Sequence, residues 1–372
     1  MLRLEVMHVK SNNLAEEYFH VTHERSAQPP AEWRLNLPLI DSLIKTARSC
    51  VKGRPCVRQL LGGVSRLTYL ISYPSEHDFV VKISLDQPQA HGDHGLRREY
   101  VVLEQLQSLL QCSPTPVAYH DSSCEPALLI MERCPGQSLL DEAQNVLPLD
   151  AAGARSLSKQ FIDQLIALHG LDPAPFLAKG IGRPNSYLMR QLEYWEKQYE
   201  SAEVKEAASW NEVLQWLADN IPQTTESPTI VHNDFRLDNL LVHSDRPAEI
   251  TAILDWEMAT VGDPLLDLGV MLAYWIEQRD PAKWQNVRWQ PSHLPGMLSR
   301  QDIVERYAQG SGRCTKSVVF YYVLGLFRKA CITRNLYLRR EAPGEAETRR
   351  FIFLNGILRE MAELSISRGS IW

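Results

Sequence analysis

Short apolar runs in the second half of the chain alternate with clusters of acidic and amide side chains. Residues 229–231, 239–242 and 250–254 are rich in valine, leucine and isoleucine, and polar residues bound each run. Runs of this length are typical of short buried strands. The sequence therefore predicts three strands, the last two joined by a turn at 244–247. Polar side chains in the loops beside such strands are held by a rigid scaffold, and catalytic groups often lie there.

Three of these polar side chains, Asp234, Asn239 and Asp255, are spaced so that they can converge. Magnesium takes hard oxygen ligands, usually one or two side chains with substrate phosphates and water. Asn239 and Asp255 can supply such oxygens, which leaves Asp234 to accept a proton from an attacking hydroxyl, as in phosphoryl transfer to an alcohol. Two alternatives stay open. The residues are ordinary turn formers, or His232 and Asp234 belong to a transition-metal site, for which a third ligand at metal-binding spacing is missing.

The remaining pattern predicts mainly strands before residue 133 and mainly helices after it. Residues 1–36 are polar and weakly patterned, with irregularly spaced histidines, which indicates a solvated extension. Apolar runs predict a strand pair within 57–73 and single strands at 79–84 and 127–132. Apolar residues at helical spacing predict helices at 37–51, 95–110, 151–169, 182–199, 210–221, 265–275, 317–337 and 345–365.

Composition narrows the class of protein. A chain of 372 residues is long for one domain and fits two lobes, and 44% hydrophobic residues are enough for a sizeable core. The net charge of −6 argues against a nucleic-acid partner, whose binding surface is usually basic. The seven cysteines lack metal-binding spacing and fit thiols of a reducing cytosol. With no apolar signal segment at the start and no apolar stretch longer than 317–327, we predict a cytoplasmic protein without a membrane partner.

Three ordered blocks, at 232–239, 253–257 and 262–269, carry a resemblance to a known family. Their sequences, HNDFRLDN, ILDWE and GDPLLDLG, resemble the catalytic core of the aminoglycoside phosphotransferase and choline kinase family, relatives of the protein kinases. The resemblance is closest to the kinase-like domain fused to some acyl-CoA dehydrogenases. One departure is Asn233, where the family usually has glycine, although asparagine tolerates left-handed backbone angles better than most residues.

The resemblance implies an α+β, bilobal protein-kinase-like fold. A small antiparallel-sheet N-lobe would cover residues 37–132 and bind a nucleotide. A mostly helical C-lobe with the catalytic loop and the substrate site would cover 133–372, and residues 1–36 would form an N-terminal extension.

A glycine pair in the N-lobe, Gly62 and Gly63, is followed by Ser65. Such a turn lets backbone N–H groups approach a phosphate, although a Gly-Gly hairpin is far more often a plain turn. In the resembled family this segment usually reads Gly-Gly-x-Ser-Asn-x-Thr-Tyr, and Arg66 takes the asparagine position here. The resemblance implies that Gly62, Gly63 and Ser65 contact the nucleotide.

Two further N-lobe segments receive nucleotide-binding roles from the resemblance. Lys82 lies in an apolar strand, where an isolated lysine is often an edge residue. In kinases a lysine at this place binds the phosphates and pairs with a glutamate of the next helix, here Glu99. The end of the 127–132 strand resembles the hinge between kinase lobes, which implies that the backbones of Glu132 and Cys134 hold the adenine. The alternative for Cys134 is a half-buried thiol without a chemical role.

Charged residues outside the catalytic loop give three more expectations. Asp263 is predicted to cap the helix at 265–275, and the resemblance implies that Asp267 braces the catalytic loop through hydrogen bonds. The basic run at 327–330, with Arg334 and two further arginines, is predicted to be a solvated face. Contact with an anionic substrate is the alternative for this run.

The sequence as a whole predicts transfer of the γ-phosphoryl group of Mg-ATP to a hydroxyl of a small molecule, with GTP not excluded as the donor. The family resemblance implies a hydroxyacyl thioester, a related hydroxy acid or an antibiotic as the acceptor. Arg236 is either a second catalytic group, binding an anionic substrate or the transferring phosphoryl, or a salt-bridged loop residue. The rival interpretation is a non-catalytic nucleotide-binding or scaffold protein of kinase-like fold. The oligomeric state stays open.

Overall fold

The first lobe is built on a five-stranded antiparallel sheet. The computed structural model describes residues 35–60, 66–84, 94–122, 126–139, 146–200, 209–223, 227–338 and 344–371. The sheet contains β1 (Cys56–Leu60), β2 (Arg66–Tyr73), β3 (His77–Ser84), β4 (Pro116–His120) and β5 (Leu128–Glu132). The strands lie in the order β1-β2-β3-β5-β4, and each neighbouring pair is antiparallel.

Helix α1 (Leu37–Ala47) covers one face of this sheet. The side chain of Asn36 accepts a hydrogen bond from the backbone of Leu39 at 3.1 Å, which satisfies an N–H of the first turn. Ile40 and Ile44 lie one turn apart, so both point the same way, and both are buried in the core of the sheet.

Helix α2 (His94–Leu106) lies between the sheet and the second lobe. Its buried Leu96 packs with Leu129 and Met131 of β5, and the helix also contacts the turn at 256–258. Since Glu99 is on this helix, the packing carries the glutamate to the junction of the lobes.

The second lobe is mostly helical, with two small sheets that carry the loops of the site. The strands are β6 (Gln137–Ser138), β7 (Thr229–Val231), β8 (Leu240–Val242), β9 (Ile250–Ile253) and β10 (Thr260–Gly262). Strands β7 and β10 pair with each other, and β6, β8 and β9 form a three-stranded sheet. The helices are α3 (Ala151–His169), α4 (Ala174–Ala178), α5 (Tyr187–Glu200), α6 (Asn211–Asp219), α7 (Pro264–Tyr274), α8 (Arg300–Ser311), α9 (Val318–Leu338) and α10 (Glu345–Arg368).

Helices α7 and α9 pack at unusually short range in the core of this lobe. A Cβ built on Gly269 would lie 2.4 Å from the backbone of Tyr321, and one built on Gly325 would lie 2.8 Å from the carbonyl oxygen of Gly269. Glycine is therefore required at both positions for this approach. The contact fixes α7, whose first turn carries Asp267, against a helix that is buried along most of its length.

The observed elements confirm the predicted α+β bilobal fold class, while the predicted lobe boundaries stay predictions. The helix predicted at 182–199 begins only at Tyr187. Gly182 has φ +93, and the residue before Pro184 is disfavoured in a helix, so the chain becomes helical after them. The helix predicted at 95–110 ends at Leu106.

The prediction that the basic run at 327–330 is a solvated face is wrong. Arg328, Lys329 and Arg334 are 2%, 0% and 4% exposed. Helix α9 is buried over most of its circumference, so it offers no broad solvent side to these cations. They are accommodated by carbonyl oxygens and aromatic rings of other elements, for example the carbonyl of Val287, 2.7 Å from Lys329 Nζ, and the ring of Trp195, 5.1 Å from the Arg328 guanidinium.

Candidate active site

The loop between β7 and β8 holds Asp234 and Asn239 together. After β7 the chain runs through residues 232–236 and one 3₁₀ turn, Leu237–Asn239, into β8. The Asn239 Nδ2 donates to the carbonyl oxygen of Asp234 at 2.8 Å and to its Oδ2 at 3.0 Å. The carbonyl of Asn239 in turn accepts the N–H of Leu254 at 2.8 Å, so the loop is tied to the segment that leads into Asp255.

Asp255 lies beside the lysine of the N-lobe. Its backbone is left-handed, with φ +68, which is unusual for a residue other than glycine and directs the side chain out of the line of β9. Asp255 Oδ1 accepts a hydrogen bond from Lys82 Nζ at 3.0 Å. The same ammonium donates to both carboxylate oxygens of Glu99, at 2.7 and 3.0 Å.

The charge state of this group is set by the pairing. Burial alone lowers the pKa of Lys82, but the carboxylates of Glu99 and Asp255 raise it above its usual value, so the lysine is held as a cation. For Asp255, burial raises the pKa and Lys82 outweighs it, leaving the pKa below its usual value. Glu99 is buried, and its side chain is 1% exposed.

A third carboxylate, Glu257, completes the group. Ligand atoms of Glu99, Asp255 and Glu257 all lie within 4.8 Å of one another, a separation at which carboxylates can share a cation. Burial and the nearby Asp255 raise the pKa of Glu257. Arg66 Nε lies 3.2 Å from Glu257 Oε2. Sequence reasoning gave Glu257 no role, and its position two residues after Asp255 is the signal that could have found it.

Both ring nitrogens of His232 contact backbone groups of the site. Its Nε2 lies 2.9 Å from the carbonyl of Leu254, and its Nδ1 accepts the N–H of Asp234 at 3.2 Å. The ring is buried, and both of its nitrogens have a partner. Both ring nitrogens are thus engaged by backbone groups, an arrangement that does not favour the alternative of a transition-metal site at His232.

Asp267 braces the loop between β7 and β8 through hydrogen bonds. Its two carboxylate oxygens accept the backbone N–H groups of His232 and Asn233, both at 2.5 Å, and His169 Nε2 lies 3.3 Å away. Burial raises the pKa of Asp267, and the hydrogen bond from His169 leads the effects that leave it below its usual value. The predicted bracing is observed. The predicted cap is observed as well, since Asp263 Oδ1 accepts the N–H of Leu265 at 2.9 Å.

Asn233 takes the backbone conformation that glycine would take. Its φ is +64, in the left-handed region that asparagine tolerates. The side chain adds what glycine lacks: Oδ1 accepts from the Tyr187 hydroxyl at 2.9 Å, and Nδ2 donates to the carbonyl of Met258 at 3.0 Å. The Arg328 guanidinium donates to the carbonyl of Asn233. Sequence reasoning gave Tyr187 no role and placed Arg328 in a basic run expected to face solvent. Their contacts with the loop come from distant helices.

Arg236 is engaged in ion pairs with two carboxylates. Its Nε lies 3.0 Å from Asp234 Oδ1, and its Nη2 lies 3.1 Å from Asp238 Oδ2. The guanidinium also lies over the ring of Tyr274, 4.8 Å from its centroid. Burial lowers the pKa of Arg236, and the two carboxylates raise it above its usual value. This geometry matches the alternative of a salt-bridged loop residue and fixes the side chain of Asp234.

The predicted hinge lies at the end of β5. The N–H of Glu132 donates to the carbonyl of Thr115 at 2.9 Å, so this N–H is already engaged within the protein. The Glu132 side chain pairs with Arg48 at 2.8 Å. Cys134 is half-buried, and burial raises the pKa of its thiol to about 11, which makes it an inert thiol at neutral pH. The predicted phosphate contacts Gly62, Gly63 and Ser65 lie outside the described residues.

The chain belongs to the phosphotransferase enzyme family, because residues 57–298 match that family's sequence profile. It is similar to acyl-CoA dehydrogenase family member 11 of Gallus gallus, with 28% identity over 299 residues that cover 77% of this chain and 37% of that protein. The chain thus spans about a third of the length of this curated relative. The match confirms the family resemblance that the blocks at 232–239, 253–257 and 262–269 indicated.

Solved structures show the same fold. A Ralstonia eutropha protein assigned provisionally to the aminoglycoside phosphotransferases superposes with a TM-score of 0.70 and 24% identity, covering 89% of this chain and 99% of that one. The GDP and kanamycin complex of APH(2")-IIIa superposes with a TM-score of 0.59 and 17% identity, covering 88% of this chain and 99% of that one.

Among the described residues, none of the helices is both long enough and apolar enough to cross a membrane.

Proposed function

We propose that this phosphotransferase moves the γ-phosphoryl group of Mg-ATP to a hydroxyl group of a small molecule. The observation that carries the proposal is the position of Lys82 between Glu99 and Asp255, 2.7 and 3.0 Å from their carboxylates. A cation fixed in this way is suited to nucleotide phosphates. A scaffold protein would have no need of a buried ion pair of this kind beside a paired Asp234 and Asn239.

The residues present fit a magnesium ion. The amide nitrogen of Asn239 is committed to Asp234, which leaves the amide oxygen as the ligand atom. Asp255 keeps a second carboxylate oxygen beside the one that Lys82 contacts. Oxygen donors of this type are what magnesium prefers, and the bound ion would neutralise charge on the phosphates. The proposed ligands are Asn239 and Asp255.

Asp234 is the proposed acceptor of the hydroxyl proton. In the transfer, the acceptor oxygen forms a bond to the γ-phosphorus, and the bond from that phosphorus to the β–γ bridging oxygen breaks. The electron pair leaves on the nucleoside diphosphate, and the hydroxyl proton passes to the Asp234 carboxylate. Asn239 and Arg236 hold this carboxylate from two sides, so that its orientation does not depend on the substrate. We propose that Arg236 positions the Asp234 carboxylate for this step through their ion pair.

The donor and its remaining contacts are part of the proposal. Gly62, Gly63 and Ser65 would contact the phosphates, and the backbones of Glu132 and Cys134 would hold the base. ATP is the proposed donor, and GTP belongs in the test because a structural neighbour was solved with GDP. The free thiols of the described residues support the proposed cytoplasmic location.

The proposed acceptor is a hydroxyacyl thioester or a related hydroxy acid, with antibiotics as a further class. The relatives' acyl-CoA dehydrogenase names support thioester chemistry. The burial of Arg328 and Lys329 removes the exposed basic face as an argument for an anionic substrate. No nucleic-acid or membrane partner is proposed.

The proposal is tested by screening hydroxyacyl thioesters, hydroxy acids and antibiotics for acceptor-dependent release of ADP or GDP in the presence of magnesium. Asp255→Asn is the informative variant, since asparagine also tolerates the left-handed backbone of this position. Asp245→Asn, in the exposed turn after β8, is the matched control. We expect turnover and magnesium-dependent nucleotide binding to be lost in the first variant and kept in the second. Equal behaviour of the two variants would contradict the assignment of Asp255.

A further inference from the structure

Arg66 lies on the same face of the N-lobe sheet as Lys82. Arg66 of β2 pairs with Ser84 of β3, and Thr68 pairs with Lys82. Side chains two residues apart on a strand point to the same face, and paired residues share that face. The Arg66 guanidinium and the Lys82 ammonium therefore extend from the sheet on the side that faces the second lobe.

The contacts of Arg66 bring it to the carboxylate group of the site. Its Nε lies 3.2 Å from Glu257 Oε2, a residue 191 positions away, and its Nη1 lies 3.4 Å from Ser84 Oγ. Ligand atoms of Glu257 lie within 4.8 Å of those of Asp255, which Lys82 contacts. Two cations of the sheet thus meet one group of carboxylates from two adjacent strands.

The guanidinium of Arg66 is suited to bind phosphate oxygens. An arginine presents five N–H donors in a planar fork that suits phosphate oxygens, and it stays charged at every physiological pH. Glu257 fixes the Nε side of that plane, which sets the direction of the fork. The side chains of Arg66 and Glu257 are 14% and 21% exposed, so both remain reachable by a ligand.

We propose that Arg66 is a catalytic residue that donates hydrogen bonds to the γ-phosphate oxygens of the nucleotide, and that Glu257 positions it. This inference rests on the proposed function, because it requires nucleotide phosphates beside Lys82. Arg66 forms and breaks no covalent bond. It stabilises the negative charge on the phosphoryl oxygens while the group passes from the bridging oxygen to the acceptor. A neutral asparagine, usual at this position in the family that the sequence resembles, would not supply this charge.

The test compares Arg66→Ala, Arg66→Asn and Arg66→Lys with wild type. Arg306→Ala is the matched control, because it removes an arginine that pairs with a carboxylate, Asp163, on the surface of the second lobe. Calorimetry with magnesium gives the Kd of ADP and of a non-hydrolysable ATP analogue. We expect Arg66→Ala and Arg66→Asn to weaken binding of the ATP analogue about 10-fold more than binding of ADP, because about 10-fold in Kd corresponds to the usual strength of a charged hydrogen bond. Arg66→Lys keeps a positive charge and should lose less affinity for the ATP analogue.

Steady-state turnover of the same variants is the second measurement. We expect kcat to fall about 100-fold in Arg66→Ala, the usual loss when one preorganised donor is removed, with the acceptor KM unchanged and Arg306→Ala like wild type. Equal losses for ADP and the ATP analogue, or a lower unfolding midpoint with unchanged kcat, would overturn the inference and leave a structural ion pair. If wild type binds the analogue but phosphorylates no acceptor, the proposed function fails, and the affinity ratio still decides the role of Arg66. Absence of nucleotide binding by wild type would overturn both.

Discussion

The ammonium of Lys82 donates to Asp255 Oδ1 at 3.0 Å, although 173 positions separate the two residues in the chain. This bond joins β3 of the first lobe to the segment after β9 in the second. Because Glu99 on α2 binds the same ammonium, β3, α2 and the segment after β9 are joined through the Lys82 side chain. The site is therefore a product of the lobe packing.

Removing the lysine leaves a buried carboxylate without its counter-charge. Glu99 is 1% exposed, and an unpaired buried charge destabilises a protein by about 3 to 5 kcal/mol. We expect Lys82→Met to lower the free energy of unfolding by about 3 kcal/mol, measured by urea denaturation. Combining it with Glu99→Leu should cost less than the sum of the two single variants, since the double variant leaves no unpaired charge at this pair. Strict additivity would show that the pair is not coupled.

Asp267 is expected to matter for both stability and catalysis. Asp267→Ala leaves the N–H groups of His232 and Asn233 without their acceptor in a buried loop. We expect a loss of about 3 kcal/mol in the free energy of unfolding and a fall in kcat, because the loop that carries Asp234 loses its support. Asp302→Ala, which removes a surface capping box at the start of α8, should cost about 1 kcal/mol and leave kcat unchanged. Similar effects of the two variants would contradict the bracing role.

Lys329 should make stability depend on pH. Its ammonium is buried, and burial, followed by the nearby Arg236, lowers its pKa from 10.5 to about 7. Above pH 7 the folded state releases this proton, while the unfolded chain keeps it up to about pH 10. The unfolded state therefore binds more protons in this window, and stability rises with pH by up to about 1.4 kcal/mol per unit.

The measurement is urea unfolding of wild type and Lys329→Met across this window. Methionine is of similar length and does not titrate, so the difference between the two free energies of unfolding isolates Lys329. We expect the free energy of unfolding of wild type to rise relative to that of the variant as the pH rises from about 7 to 9. A difference that does not change with pH would show that the lysine keeps an ordinary pKa in the folded protein.

Local signals were enough for much of the fold. Helix α3 begins at Ala151 and ends at His169, as its apolar spacing predicted, because one face packs into the core and Asp150 caps the first turn. The convergence of Asp234 and Asn239 was also predictable, since a loop of eight residues between two strands leaves little freedom. The Asp263 cap follows from the same short-range chemistry.

Long-range contacts were not predictable from the pattern. Arg328 and Lys329 were expected in solvent because charge normally marks a solvated face, but α9 is enclosed by α5, α7 and α10, and the partners of these cations are distant carbonyls and rings. The pair of Arg66 with Glu257 joins residues 191 positions apart and leaves no trace in local periodicity. The late start of α5 was predictable in principle, from Gly182 and Pro184.

Phosphoryl transfer through Asp234 is tested by following the γ-phosphate label of ATP into an acceptor, with Asp234→Asn and Asp238→Asn as a matched pair. Both acids pair with Arg236, and only Asp234 is bound by Asn239. We expect label on the acceptor with wild type, a loss of at least about 100-fold in Asp234→Asn, and a change within about tenfold in Asp238→Asn. Label released only as inorganic phosphate, or equal transfer by the two variants, would contradict phosphoryl transfer to an acceptor through Asp234.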